Sequence, residues 1–147
     1  MADRRAVGRV GEEAACKYLT DKSYKILSRN FRFGRYGEID IVAQKAGVIC
    51  FIEVKARTSD RFGAPSESVG YAKRRKILTV ANYYLRLNDA FGQRVRFDII
   101  EIYYITVTSE LSAKSNSSDI KNSSVANTNY LVTKLRHITN AFGDNWA

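Results

Sequence analysis

Proline occurs once in the 147 residues, at Pro65, and histidine once, at His137; cysteine occurs twice, at Cys16 and Cys50. The cysteines lack CxxC spacing and sit in apolar patterns. They read as buried free thiols of a reduced cytoplasm rather than a disulfide or a zinc site. His137 falls in a terminal strand-like segment, far in sequence from the acids discussed below, and is assigned no catalysis. No apolar run approaches the ~20 residues of a membrane span, and MADRRAVGR has no apolar signal core. A soluble cytoplasmic protein with no membrane partner is expected. GxxxxGK[ST] and GxGxxG are absent, which argues against nucleotide hydrolysis and dinucleotide binding. No Ser or Cys stands in a constellation with a base, as nucleophilic catalysis requires.

What is present is basic charge: 24 Lys+Arg against 15 Asp+Glu give +9. Such an excess favours a polyanion, nucleic acid or an anionic membrane surface, although solubility alone also accounts for it. With 45% hydrophobic and 12% aromatic residues the chain is an ordinary globular one. Its length fits one domain able to bury roughly two-thirds of its unfolded surface.

Val7, Gly11, Ala14, Ala15, Tyr18 and Leu19 recur at helical spacing, with Glu13 outside the stripe and Glu12 at its edge. Residues 24 to 33 read as a strand, and EIDIVAQ and VICFIEVKAR as a hairpin. Pro65 suits a helix start, and a second helix is expected from about Ser66 to Leu87, its stripe formed by Val69, Ile77, Val80, Ala81 and Tyr84. Residues 96 to 107 form a long β-rich run. Residues 109 to 129 are dominated by Ser, Asn and Thr, as in a flexible insertion. A terminal strand at 130 to 142 then returns beside 96 to 107. Helix, three strands, helix and further strands predict an α/β domain with a mixed sheet.

In the hairpin IDIVAQKAGVICFIEVK, a two-residue turn at Ala46-Gly47 fixes the register, because glycine supplies the φ > 0 such a loop wants. Ile39 then faces Val54, Ile41 faces Ile52 and Ala43 faces Cys50, so one sheet face is wholly apolar. The other carries Val42 against Phe51, Asp40 against Glu53, and Lys55 two residues on. Opposed carboxylates repel unless a cation neutralises them. Such oxygens suit a hard ion such as Mg²⁺, with water and substrate phosphate completing its shell. The plainer alternative is a Glu53–Lys55 ion pair at a strand end, with Asp40 in solvent.

Glu-Val-Lys ending a hydrophobic strand, with an Asp on the strand before it, resembles the PD-(D/E)XK nuclease signature; Ile39 stands where that signature has proline. More closely, the chain resembles the YraN family of bacterial proteins. The matching segments are GRVGEEAA (8 to 15), RNFR (29 to 32), GEIDIVA (37 to 43), FIEVKAR (51 to 57), FGAPSESV (62 to 69), RFDII (96 to 100) and HITNAF (137 to 142). The resemblance implies a restriction-endonuclease-like αβββαβ core, with helices flanking a mixed central sheet, as in Holliday-junction resolvases. It implies metal-dependent phosphodiester hydrolysis on structured or branched DNA, with Asp40 and Glu53 holding Mg²⁺ or Mn²⁺ and Lys55 assisting the attacking water. Glu12 matches the first-helix acid that often joins such a metal; a surface glutamate is the alternative. Resolvases act as dimers, so a homodimer is the assembly implied.

Lys73 falls in the centre of the second helix's apolar stripe, where it must snorkel to solvent or meet an acid. With Arg74, Arg75 and Lys76 it makes a basic cluster. Arg29, Arg32, Arg35, Arg57 and Arg61 extend it around a cleft, where phosphate contacts would supply affinity without reading sequence. Tyr36 and Phe62 flank the site in loops, as anchors or as stacking partners for an unpaired base. A nuclease is the leading function. A non-catalytic nucleic-acid-binding module and a protein-interaction role in DNA processing or uptake, using residues 109 to 129, are the alternatives.

Overall fold

The computed structural model describes residues 3–58, 69–107 and 129–143. Its elements run α1 (Arg4–Asp21), β1 (Lys25–Phe33), a single 3-10 turn (Gly34–Tyr36), β2 (Gly37–Lys45), β3 (Val48–Arg57), α2 (Tyr71–Leu87), β4 (Arg94–Val107) and β5 (Asn129–Phe142). The strands form one sheet in the order β1-β2-β3-β4-β5, with β3 and β4 parallel and every other pair antiparallel. The expected mixed α/β architecture with a restriction-endonuclease-like core is the one observed. Parallel neighbours need a crossover connection, and α2 lies between β3 and β4 in the chain. Arg61, Phe62, Pro65 and most of the expected insertion lie outside the described residues. Helix α2 begins later than its pattern predicts, at Tyr71 with Gly70 as N-cap. Val69, expected inside it, is a buried residue ahead of the cap.

Two cores flank the sheet. On one face Ala15 and Leu19 of α1 pack on Ile41, Ala43, Cys50, Ile52, Ile100 and Ile102. On the other Ile77, Val80, Ala81 and Tyr84 of α2 pack on Val42, Phe51 and Phe97. There Phe51, Phe97 and Phe142 form a ladder across β3, β4 and β5, with centroids 5.4 and 5.0 Å apart. Strand residues alternate between the faces, so the hairpin's apolar residues divide between the two helices. Gly11 lets α1 lie close: a Cβ there would already meet the Ala56 Cβ at 3.6 Å and Val54 Cγ1 at 3.7 Å. That approach brings the next residue, Glu12, toward the ends of β2 and β3.

The turn is as expected. Ala46 and Gly47 have φ of 50° and 75°, the primed turn of a two-residue hairpin. Ile41 opposes Ile52, Val42 opposes Phe51 and Ala43 opposes Cys50. The predicted face of Ile39 is not observed, because Ile39 belongs to the α2-side core. Its neighbour on β1 explains the switch. Asn30 adopts φ of 50°, a left-handed conformation asparagine tolerates. Arg29 lies on the α1 side, bonded to Glu13, yet Phe31 packs into the α2-side core and pairs with Ile39.

Candidate functional site

Beyond Ile41–Ile52 the β2–β3 ladder stops. In a hairpin closed by Lys45 and Val48, hydrogen-bonded pairs recur every second residue, so Val54 N–H would next donate to the Ile39 carbonyl. It donates to Asp40 Oδ2 instead, at 2.8 Å. The strands therefore splay where Asp40 and Glu53 sit, and the two acids line one cleft rather than forming the cross-strand pair a continued ladder would give. The cleft encloses about 250 Å³ between Gly37, Glu38, Asp40, Glu53, Lys73, Lys76 and Ile77.

Glu53 is only 7% exposed, and its Oε1 is shared by two ammonium groups. Lys55 Nζ lies 3.4 Å away, and Lys73, reaching from α2, makes a closer ion pair with the same oxygen. Lys73 thus meets an acid, the second of its two expected fates. Burial and the Glu53 charge push the Asp40 carboxyl up to about 7, against the Val54 N–H, with Glu12 adding to the rise and Lys73 opposing it. Burial and the neighbouring Lys73 hold Lys55 below its ordinary value, opposed by Glu53. Burial acts on Lys73 in the same direction, but the adjoining Glu53 carboxylate and the charge of Asp40 oppose it and leave Lys73 raised.

The structure thus gathers Asp40, Glu53, Lys55 and Lys73, brings Lys76 of the basic cluster to the cleft wall, and adds Gly37 and Glu38 as walls the sequence did not indicate. Glu12 is half-buried on α1, near enough for its charge to act on Asp40. Among the described residues no three acid, histidine or cysteine side chains converge as a metal cage. Two carboxylates lining one cleft, beside a cation already seated on one of them, nonetheless fit Mg²⁺, which typically takes one or two protein carboxylates and keeps its waters.

The basic residues divide. Lys76 lines the cleft; Arg35 and Arg75 are exposed, Arg75 over the Tyr71 ring. Arg74 turns away, donating to the Val69 carbonyl at 2.8 Å and lying over Phe142. Arg32 pairs with Glu38 at 3.1 Å and Arg29 with Glu13 at 2.9 Å. Arg57 Nε lies 3.3 Å from Oε1 of the fully buried Glu101, within ion-pair distance though not aligned for a hydrogen bond. That placement makes Arg57 a counter-charge for the core.

Another buried acid lies on the α1 side of the sheet. Asp98 is fully buried and takes both Nε and Nη2 of Arg96, His137 Nε2 at 2.8 Å and the Asn140 N–H at 2.9 Å. Arg96 also reaches the Tyr24 hydroxyl at 2.6 Å, and Tyr18 OH lies 3.3 Å from His137 Nδ1. His137 and the Asn140 N–H thus tie β5 to Asp98 of β4. The thiols of Cys16 and Cys50 are free.

The family model "Uncharacterised protein family UPF0102" matches residues 11–102. The chain belongs to the UPF0102, or YraN, family. A UPF0102 protein of Acetivibrio thermocellus is 45% identical over 101 residues, covering 69% of this chain and 78% of that relative. UPF0102 proteins of Persephonella marina and Clostridioides difficile are 47% identical over 95 residues and 46% over 98, covering 65% and 67% of this chain and 81% and 85% of the relatives. The UPF0102 match takes in Glu12, Asp40, Glu53, Lys55 and Lys73 together with the Asp98 acid, and ends before β5. No helix among the described residues is long and apolar enough to cross a membrane.

The raised Asp40 carboxyl has a consequence for stability. Folded chain holds that proton more tightly than unfolded chain, whose carboxyl titrates near the ordinary 3.8. The contribution is present at low pH and is lost as pH rises toward about 7, by up to ~1.4 kcal/mol for each pH unit crossed. Asp40→Asn, which keeps an acceptor for Val54, should therefore gain stability over wild type between pH 4 and 7. Urea midpoints in EDTA across that range check it; a constant difference would contradict the assignment.

Proposed function

We propose that this cleft carries out divalent-metal-dependent phosphodiester hydrolysis on structured or branched DNA. The observation that carries the reading is the convergence of Asp40, Glu53 and Lys55 at one splayed strand end, in a chain of net charge +9. Asp40 and Glu53 would hold Mg²⁺ or Mn²⁺, and a bound ion would supply a polarised phosphoryl oxygen and a water of lowered pKa. The protein's own residues do the rest. Lys55, made less basic by burial, orients the attacking water or meets charge developing on the phosphate. Lys73 balances Glu53 in the resting cleft and, with Lys76, lines the wall that an incoming phosphate would meet. Glu12 contributes negative charge at the α1 side of Asp40. Lys76, Arg75 and Arg35 offer phosphate contacts that position the strand without reading its sequence.

A second reading has its own support. The Lys73 ammonium already neutralises Glu53, so the fold would also serve a non-catalytic DNA-binding protein in which the acids organise lysines. Incubating junction, flap, single-stranded and duplex DNA with the protein in Mg²⁺ or Mn²⁺, beside Asp40→Ala and Glu53→Ala, separates the two. Cleavage by wild type that both variants lose supports the enzyme. Binding without cleavage on every substrate leaves only the binding module.

A further inference from the structure

Three aromatic rings are stacked beside the cleft. Phe33, at the end of β1, lies 3.8 Å from Tyr83 of α2 with ring planes 12° apart, and 4.9 Å from Tyr36 at 26°. Phe33 and Tyr83 are half-buried; Tyr36, the outer ring, is 52% exposed. The core beneath is closed without it, because Phe31 meets Tyr84 edge-on at 5.0 Å. The turn holding Tyr36 is set by Gly34 and Gly37, with φ of 47° and 130°. A side chain on Gly37 would bear on α2, its Cβ 3.9 Å from Val80 Cγ2 and 4.0 Å from Lys76 Cβ. The platform is therefore continuous with the cleft, whose walls begin at the next two residues, Gly37 and Glu38. Cations surround it: exposed Arg35 is in the same turn, Lys76 is across from Gly37, and Arg32 is held by Glu38.

We propose that Tyr36 is a stacking platform for an unpaired nucleobase, and that the strand crossing the cleft is single-stranded at that point. The inference rests on the reading of the cleft as a DNA site, and it narrows the substrate class to DNA with an unpaired stretch. A ring already stacked on Phe33, which is itself stacked on Tyr83, loses little freedom when a base joins its outer face, and stacking accepts any base because each has a π face. Duplex DNA keeps its bases paired inside and offers this ring only backbone. From Tyr36 to Asp40 runs four residues of strand, about 13 Å, a span of up to about four nucleotides at duplex spacing. A base held at Tyr36 thus leaves its neighbouring phosphates to Lys76 and the acids.

The test is fluorescence anisotropy in EDTA at low salt, so that binding is read without cleavage, using a single-stranded oligonucleotide, a single-strand flap and a matched duplex. Tyr36→Ala and Tyr36→Leu should each weaken single-strand and flap binding about tenfold, the lower end of what one stacked base contributes. Both should leave duplex binding within about twofold, and Tyr36→Trp should keep wild-type affinity. Abasic residues in the unpaired stretch should weaken wild type and leave Tyr36→Ala unchanged. Equal losses on duplex and single strand, no loss, or Tyr36→Trp behaving like Tyr36→Ala would overturn the platform alone. Binding of none of the DNAs would overturn the DNA reading with it.

Discussion

Glu53→Ala is expected to lower divalent-dependent DNA cleavage by roughly a thousandfold or more, the size of effect seen when one group that stabilises transition-state charge is removed. The reason lies in how much converges on this side chain. Its Oε1 carries both Lys55 and Lys73, and the side chain lines the cleft beside Asp40. Truncation removes one of the two proposed metal ligands and releases two ammonium groups whose positions it sets. Glu53→Gln keeps the shape and loses the charge, so it should fall nearly as far. Lys55→Ala, which leaves both acids in place, should lose about 10²–10⁴-fold. Rates on the best-cleaved substrate measure all three; a Glu53→Ala rate within tenfold of wild type would contradict the assignment.

The largest effect on stability is expected at Asp98, away from the cleft. This carboxylate is wholly buried, and its pKa is lowered: burial alone would raise it, but His137, Arg96 and the Asn140 N–H outweigh that. Asp98→Ala leaves a guanidinium without its bidentate partner and an imidazole without its acceptor inside the fold. Removing one member of a buried charged pair costs about 3–5 kcal/mol, a large part of the 5–15 kcal/mol that holds a domain together. Urea unfolding followed by circular dichroism measures it, and a loss under about 1 kcal/mol would be at odds with the buried network. Because the folded pKa is depressed, this support is fully present above the unfolded value of about 3.8 and is lost as pH falls below it.

The hairpin shows what could be read in advance. Ala46-Gly47 admits one tight turn, and that turn fixed Ile41 against Ile52 and Val42 against Phe51, with Glu53 and Lys55 on the α2 side. Lys73 was legible for a related reason: a lysine in an apolar stripe has few options, and an acid on the facing strand was one of them. Ile39 was not legible, because its face is set by the left-handed Asn30 on another strand, which alternation within β2 does not register. The end of the ladder was hidden too, since it depends on Asp40 taking the Val54 N–H from the backbone. Asp98 and Glu101 carried the same signal as Asp40 and Glu53, an acid inside an apolar β-run, in RFDIIEI. Arg96 and Tyr103 stand two residues from them on the same strand face, but His137 and Arg57 are 39 and 44 residues away, and only the sheet order brings those two to Asp98 and Glu101.

The central claim is that Asp40 and Glu53 together hold a divalent ion. Isothermal titration of Mn²⁺ into wild type, Asp40→Asn and Glu53→Gln, at a pH above 7 and without DNA, tests it most directly. The account predicts saturable binding by wild type that is lost or severely weakened in both variants. Binding that survives both substitutions, or none in the wild type, would contradict it.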